Sequence, residues 1–179
     1  RLDEAELKSV DIHQGIESTL ILLAYRFKAT INRPEIQVIK DYAQLPLVRC
    51  YAGSLNQVFM NILTNAVDAL EEAAKGCSLQ NRAAQPSQIV IQTYATPDEK
   101  VRIRFSNNGV PIPESSSNKL FDPFFTTKPI GQGTGLGLFT SYQIVTEQHG
   151  GKLWCEFKPD YETTFVIELP LQAKQADGL

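Results

Sequence analysis

The 179 residues predict an α/β fold, a two-layer sandwich with a mixed, mainly antiparallel sheet covered on one face by helices. Three observations lead there. Short segments alternate in polarity, most cleanly where Val101, Ile103 and Phe105 interleave with Arg102, Arg104 and Ser106. Two longer segments, 14–28 and 54–75, repeat their apolar residues at helical spacing. Strands and helices do not alternate one for one, so a doubly wound parallel sheet is not implied.

Taken in order, residues 9–13 suit a short strand, and 14–28 a helix with Ile16, Leu20, Leu23 and Phe27 on one face. Residues 35–42 and 47–51 suit strands separated by Pro46. A long helix is expected from Ser54, as N-cap, to Lys75 before Gly76. Residues 76–87 are turn-rich. Residues 88–95 and 100–106 form a hairpin around Pro97-Asp98, and 107–133 form a long loop rich in Gly, Pro, Ser and Asn. A helix follows from Gly135 to His149, then strands 152–157 and 163–169, and a polar tail over 173–179 that is expected to be disordered.

Bulk properties narrow the function. Net charge is −3 with both signs mixed along the chain, which argues against a nucleic-acid surface. No run of about 18 apolar residues is present, so no membrane-spanning helix is expected. Residues 1–8 read as the end of an upstream helix rather than a signal peptide. Cys50, Cys77 and Cys155 lack metal-ligand spacing and suit reduced thiols, hence a cytoplasmic setting.

Two local patterns carry chemistry. At roughly 100° per residue, Asn61, Asn65, Asp68 and Glu72 fall within about 60° of one another on the long helix, opposite its apolar face. Asparagine is a poor helix former, and an ordinary solvated face is rich in Lys and Glu. The stripe is either an accidental polar face or a set of side-chain oxygens aimed into a cleft, where a hard cation such as Mg²⁺ would accept them. The second pattern is Gly131-Gln132-Gly133-Thr134-Gly135-Leu136-Gly137-Leu138 running into a helix. It is either a flexible hinge or a phosphate cradle built on unpaired backbone N–H groups. It is neither a P-loop nor a dinucleotide fingerprint.

Four blocks, in order, resemble the catalytic domain of sensor histidine kinases, with a Bergerat-type fold. That superfamily is shared with gyrase, heat-shock chaperone ATPases and mismatch-repair ATPases. NQVFMNILTNAVDAL (56–70) is similar to the asparagine box, FSNNGVPIPE (105–114) to the first glycine box, LFDPFFTTK (120–128) to the phenylalanine box and GTGLGL (133–138) to the second glycine box. The last two resemble nitrogen-regulation-type and multi-sensor kinases. The catalytic domain would span 9–172.

The resemblance implies roles. Asn65 would hold Mg²⁺, with Asn61 supporting metal and phosphates and counted, with Lys128 of the lid, among the catalytic residues. Asn107 stands where the family has an adenine-binding aspartate, Gly109 would lie under the base, and Thr163 beside it. Pro111 and Ile112 form the lid base. Gly133, Thr134, Gly135, Leu136, Gly137 and Leu138 would meet the triphosphate, and Asp68 would act more weakly through solvent. ATP and Mg²⁺ are the implied cofactors. The implied partners are an upstream dimerisation domain bearing the acceptor histidine, and a response-regulator receiver domain. The full-length protein would be a homodimer and this fragment a monomer, without nucleic-acid or membrane contact.

Two departures matter. The family's Asp-x-Gly-x-Gly is here Asn107-Asn108-Gly109-Val110-Pro111. A neutral amide in place of the carboxylate weakens a base contact by about 1 kcal/mol, or several-fold in affinity. Pro111 stiffens the lid base. They keep open an alternative, a degenerate nucleotide-binding regulatory module. A hydrolytic ATPase, the other alternative, would need the glutamate base that its relatives carry where Asn61 stands. His13, assigned to a strand, and His149, at a helix end suited to a cation, both suit structural roles.

Overall fold

The computed structural model describes residues 6–76, 86–128, 130–158 and 162–172. The turn-rich segment 76–87 is described only at its ends, and the tail at 173–179, Cys77 and residues 1–5 lie outside the described residues.

The chain runs β1 (Leu7–Val10), α1 (Ile12–Phe27), β2 (Gln37–Tyr42), β3 (Val48–Tyr51), α2 (Ala52–Lys75), β4 (Gln88–Thr96) and β5 (Lys100–Asn107). A 3-10 segment (Glu114–Lys119), α3 (Gly137–Gln143), a π turn (Ile144–Gln148), β6 (Lys152–Phe157) and β7 (Thr163–Pro170) follow. Five strands form one sheet in the order β2-β4-β5-β7-β6. Within this sheet, among the described residues, β2 and β4 pair in parallel and the other neighbours are antiparallel. β1 and β3 make a separate antiparallel ribbon.

Alternation in β5 explains the two layers. Val101, Ile103 and Phe105 are buried on the helix side, with Ile89 and Ile91 of β4 and Phe165, Ile167 and Leu169 of β7. α2 lays Leu55, Phe59, Ile62, Leu63 and Leu70 onto them, and the Phe59 and Phe105 ring centroids lie 5.9 Å apart. Each such side chain contributes roughly 1.5–3 kcal/mol of burial, which fixes the height and rotation of α2 over the sheet. On the other face, Arg102 pairs with Glu168 and Arg104 with Glu156, a polar ladder.

Helix boundaries differ from the sequence expectation for identifiable reasons. α1 starts at Ile12 because the Asp11 carboxylate accepts the His13 N–H at 2.9 Å, so His13 lies in its first turn and not in a strand. Its far end is closed by Arg33, whose guanidinium donates to the carbonyls of Arg26 at 2.6 Å and Lys28 at 3.2 Å. α2 starts two residues before Ser54, with Tyr51 at the N-cap and no side-chain cap. The imidazole of His149 accepts the Tyr51 N–H instead, at 3.0 Å. The glycine-rich helix starts at Gly137 and widens into the π turn after Gln143.

Candidate functional site

Three of the four stripe residues converge on one cleft. Asn61 donates through Nδ2 to the carbonyl of Gly137 at 3.0 Å and to Ser141 Oγ at 3.1 Å, clamping α2 to the start of α3. One turn on, Asn65 Oδ1 lies 3.4 Å from the ammonium of Lys128, which also pairs closely with Asp68 Oδ2. Arg26, from the last turn of α1, holds Asp68 Oδ1 at 2.7 Å and Glu71 at 2.8 Å. Glu72 turns away to Lys75 on the exposed face. The segment expected to form a lid is thus pinned to α2 by an ion pair joining residues 60 apart in sequence.

Burial alone would raise the Asp68 carboxyl. The bonds from Lys128 and Arg26 outweigh it and hold the group below the ordinary carboxylate range. Asp68 therefore makes direct ionic contacts here. A cation already sits against Asn65 and Asp68, so these oxygens are arranged to receive positive charge.

The other end of the cleft is set by the sheet. Asn107 and Thr163 are directly paired across β5 and β7, and both are buried, with 5% and 3% exposure. Asn107 Oδ1 accepts the Gly109 N–H at 3.0 Å, and the Val110 N–H donates to the Ala69 carbonyl at 3.0 Å, tying the segment to α2. Gly109 is packed so closely that a Cβ would lie 2.5 Å from the Ala69 carbonyl carbon. Thr163 Oγ1 is buried with no partner.

The glycine-rich turn is braced from behind. Gly135 has φ +67°, and a Cβ there would meet the Phe124 backbone at 2.4 Å. The Phe124 N–H donates to the Gly135 carbonyl at 2.9 Å, while Phe124 itself has φ +65° and an exposed ring. A non-glycine residue in this region costs about 1 kcal/mol or more, so this contact helps to fix the turn. Thr134 Oγ1 accepts the Leu136 N–H at 3.3 Å. Gly133 lies against Thr126 and Lys128, and Gly137 faces Asn61. Ile112 and Leu138 are half-buried against the core, and Pro111 is exposed at the lid base.

Arg26 of α1 and Ser141 of α3 brace the stripe from other elements, and Glu71 on α2 itself shares the Arg26 guanidinium; nothing local in the sequence marks the three, and His149 is not the expected cation. Its Nδ1 meets the Ile144 carbonyl at 2.7 Å while Nε2 accepts from Tyr51, so the ring is neutral rather than a cation at a helix end. Burial pushes it down, against a smaller upward effect of the Ile144 carbonyl. His13 is equally structural, 2.7 Å from Thr93 Oγ1 and stacked on Tyr42. A separate cavity of about 210 Å³ opens between the first turns of α1 and α2, lined by Gln14, Gly15, Asn56 and Phe59. It lies on a different face of α2 from Asn61.

The cleft residues suit a magnesium nucleotide. Thr163 offers an unused buried hydroxyl at the sheet end, Asn65 and Asp68 offer oxygens with a cation beside them, and the glycines keep side chains off the turn. Among the described residues no cluster of three His, Cys, Asp or Glu could hold a metal by itself, so phosphate oxygens and water would complete its shell.

The chain matches known proteins along most of its length. Residues 51–173 match the family described as histidine kinase-, DNA gyrase B-, and HSP90-like ATPase. The chain is similar to the signal transduction histidine-protein kinase AtoS of Escherichia coli (strain K12), 39% identical over 172 residues covering 93% of this chain and 24% of that protein. It is similar to the sensor kinase CckA of Brucella abortus (strain 2308), 36% identical over 135 residues covering 73% of this chain and 14% of that protein. The chain therefore spans a quarter or less of either relative. Among solved structures it resembles a nucleotide-free catalytic domain of the histidine kinase ThkA. The TM-score is 0.75 at 29% identity, covering 93% of this chain and 97% of that one.

Proposed function

Because the chain belongs to the histidine kinase-, DNA gyrase B-, and HSP90-like ATPase family, we propose that it is the catalytic domain of a sensor histidine kinase. It would bind Mg–ATP in the cleft between α2 and the glycine-rich turn. The observation that carries this reading is the convergence of Asn61, Asn65, Asp68 and Lys128 opposite Gly133–Gly137. When bound, ATP would supply the γ-phosphoryl group and Mg²⁺ would neutralise its charge. Asn65 would hold the metal. Asn107, Gly109 and Thr163 would orient the base, and Thr134, Leu136 and Leu138 would support the turn N–H groups against the phosphates. Lys128 would exchange its Asp68 partner for phosphate as the lid, with Pro111 and Ile112 at its base, closes and excludes water.

Phosphoryl transfer needs alignment and charge neutralisation more than covalent help from the protein. A neutral imidazole acceptor carries its own lone pair, whereas water needs a base. Asn61 cannot serve as that base: both its Nδ2 contacts are occupied, and an amide oxygen takes no proton at neutral pH. Transfer to a histidine is therefore favoured over hydrolysis. The acceptor would lie on an upstream dimerisation domain, with relay to a response-regulator aspartate; the name of AtoS, a signal transduction histidine-protein kinase, supports transfer to a histidine. The catalytic domain would occupy 9–172 of a cytoplasmic, homodimeric kinase region.

Calorimetric titration of the chain with Mg–ATP tests the binding step. Incubation of the complete protein with γ-labelled ATP tests the transfer, which should give acid-labile, base-stable label on a histidine. Turnover of ATP at one per second or faster by the chain alone would contradict the kinase reading. A neutral Asn107 and the Lys128–Asp68 pair favour a second reading, a weak regulatory nucleotide binder. Saturable binding with no transferred label would select it.

A further inference from the structure

Asn107 and Thr163 hold two hydrogen-bonding groups that the fold does not use. They face the same side of the sheet, since they are paired in register and Phe105 and Phe165, two residues along each strand, are buried in the helix-covered core. The orientation of the Asn107 amide is set by its neighbour. The Gly109 N–H can only donate, so the atom it meets at 3.0 Å is the amide oxygen. Nδ2 is therefore turned away from Gly109, and it has no partner among the described residues. Thr163 Oγ1, across the register, is also without a partner. A buried hydroxyl such as that of Thr163 is costly unless something pairs with it, and the Asn107 Nδ2 beside it is a donor left for a ligand.

The pair thus offers an amide donor and a hydroxyl that either donates or accepts. A carboxylate at position 107 would offer acceptors only, matching a ring that carries an amino group and repelling one that carries a carbonyl. We infer that Asn107 sets the base preference of the site, admitting purine nucleotides with a carbonyl at the six position alongside adenine nucleotides. Nδ2 donates to a six-carbonyl oxygen, and the second lone pair of Oδ1 accepts from a six-amino group. Thr163 adjusts its hydroxyl to the neighbouring ring atom in either case. This rests on the nucleotide reading above and goes beyond it by naming the class of base.

Inosine triphosphate isolates the six position, because it differs from ATP there and lacks the two-amino group of guanine. Calorimetric titrations of the wild-type chain and of Asn107→Asp with Mg–ATP and Mg–ITP test the inference by binding alone. The expected wild-type preference for ATP is less than about tenfold, and the substitution widens it by at least about tenfold. A wild-type preference above about tenfold, or a ratio that the substitution leaves unchanged, overturns the inference while ATP binding itself survives. Binding of neither nucleotide at millimolar concentration overturns the nucleotide reading as well. Thermal melting of Asn107→Asp establishes that it folds, and the wild-type ratio decides the matter if it does not.

Discussion

The two ends of the cleft are built differently. The sheet end is rigid: Asn107 and Thr163 are set by strand register, and Gly109 is jammed against the backbone of α2. The other end is held by side chains reaching between elements, with Lys128 to Asp68, Arg26 to Asp68, and Asn61 to Gly137. One end leaves hydrogen-bonding capacity unused, while the other neutralises itself internally. The difference teaches that a ligand would dock onto the first end as it stands but would have to exchange partners at the second. That suits a site where a base is recognised at one end and a charged, moving group is handled at the other.

Substitutions should therefore cost more stability at the sheet end. The largest effect is expected for Gly109→Ala, whose Cβ would meet Ala69 backbone atoms that cannot yield without moving α2. A loss of about 3 kcal/mol in urea unfolding is expected. A change under about 1 kcal/mol would remove the rigid end from the account. Asn61→Ala comes next, because it deletes the bonds to Gly137 and Ser141. About 1–2 kcal/mol should be lost, with faster amide exchange in α3; unchanged exchange there would mean that the clamp is idle.

His149 gives a smaller, pH-dependent effect. Its native imidazole is held below the ordinary 6.5, so the unfolded chain binds the proton first as pH falls. The contribution is complete above about pH 6.5 and declines below it towards the native value. Urea midpoints compared at pH 7.5 and 5.5 should show this slope in the wild type and not in His149→Asn; equal slopes would contradict it. Asp68, held below 3.8, acts in a separate window, since its contribution is lost only as pH falls below about 4. The smallest effect is expected for Lys128→Ala. Both partners of that pair are partly exposed, so stability should change by less than about 0.5 kcal/mol, while limited proteolysis within 120–132 accelerates. A large loss of stability would show that the second end is as rigid as the first.

Much of this contrast was legible in the sequence. The stripe on α2 was visible because helical periodicity separates Asn61, Asn65 and Asp68 from Leu55, Phe59 and Ile62, and packing obeyed that division. The alternation in β5 set Val101, Ile103 and Phe105 on one side, but Asn107 was expected in the following loop, whereas it ends the strand on that same side, in register with Thr163. Long-range pairs were not legible. Arg26 meets Asp68 across 42 positions, and nothing local to either residue announces it. The start of α2 was misplaced because Ser54 looks like a cap, whereas the Tyr51 N–H is satisfied by a histidine 98 residues away. The π turn likewise has no local signature; the Ile144 carbonyl that opens it binds His149.

The most direct test follows the side-chain amide resonances of Asn61, Asn65 and Asn107 while Mg²⁺ and a non-hydrolysable ATP analogue are added. Saturable shifts at Asn65 and Asn107 with one common affinity are expected, together with loss of the Lys128–Asp68 pair. Shifts confined to Asn56, in the cavity between α1 and α2, or none at all at millimolar ligand, would contradict the placement of the nucleotide.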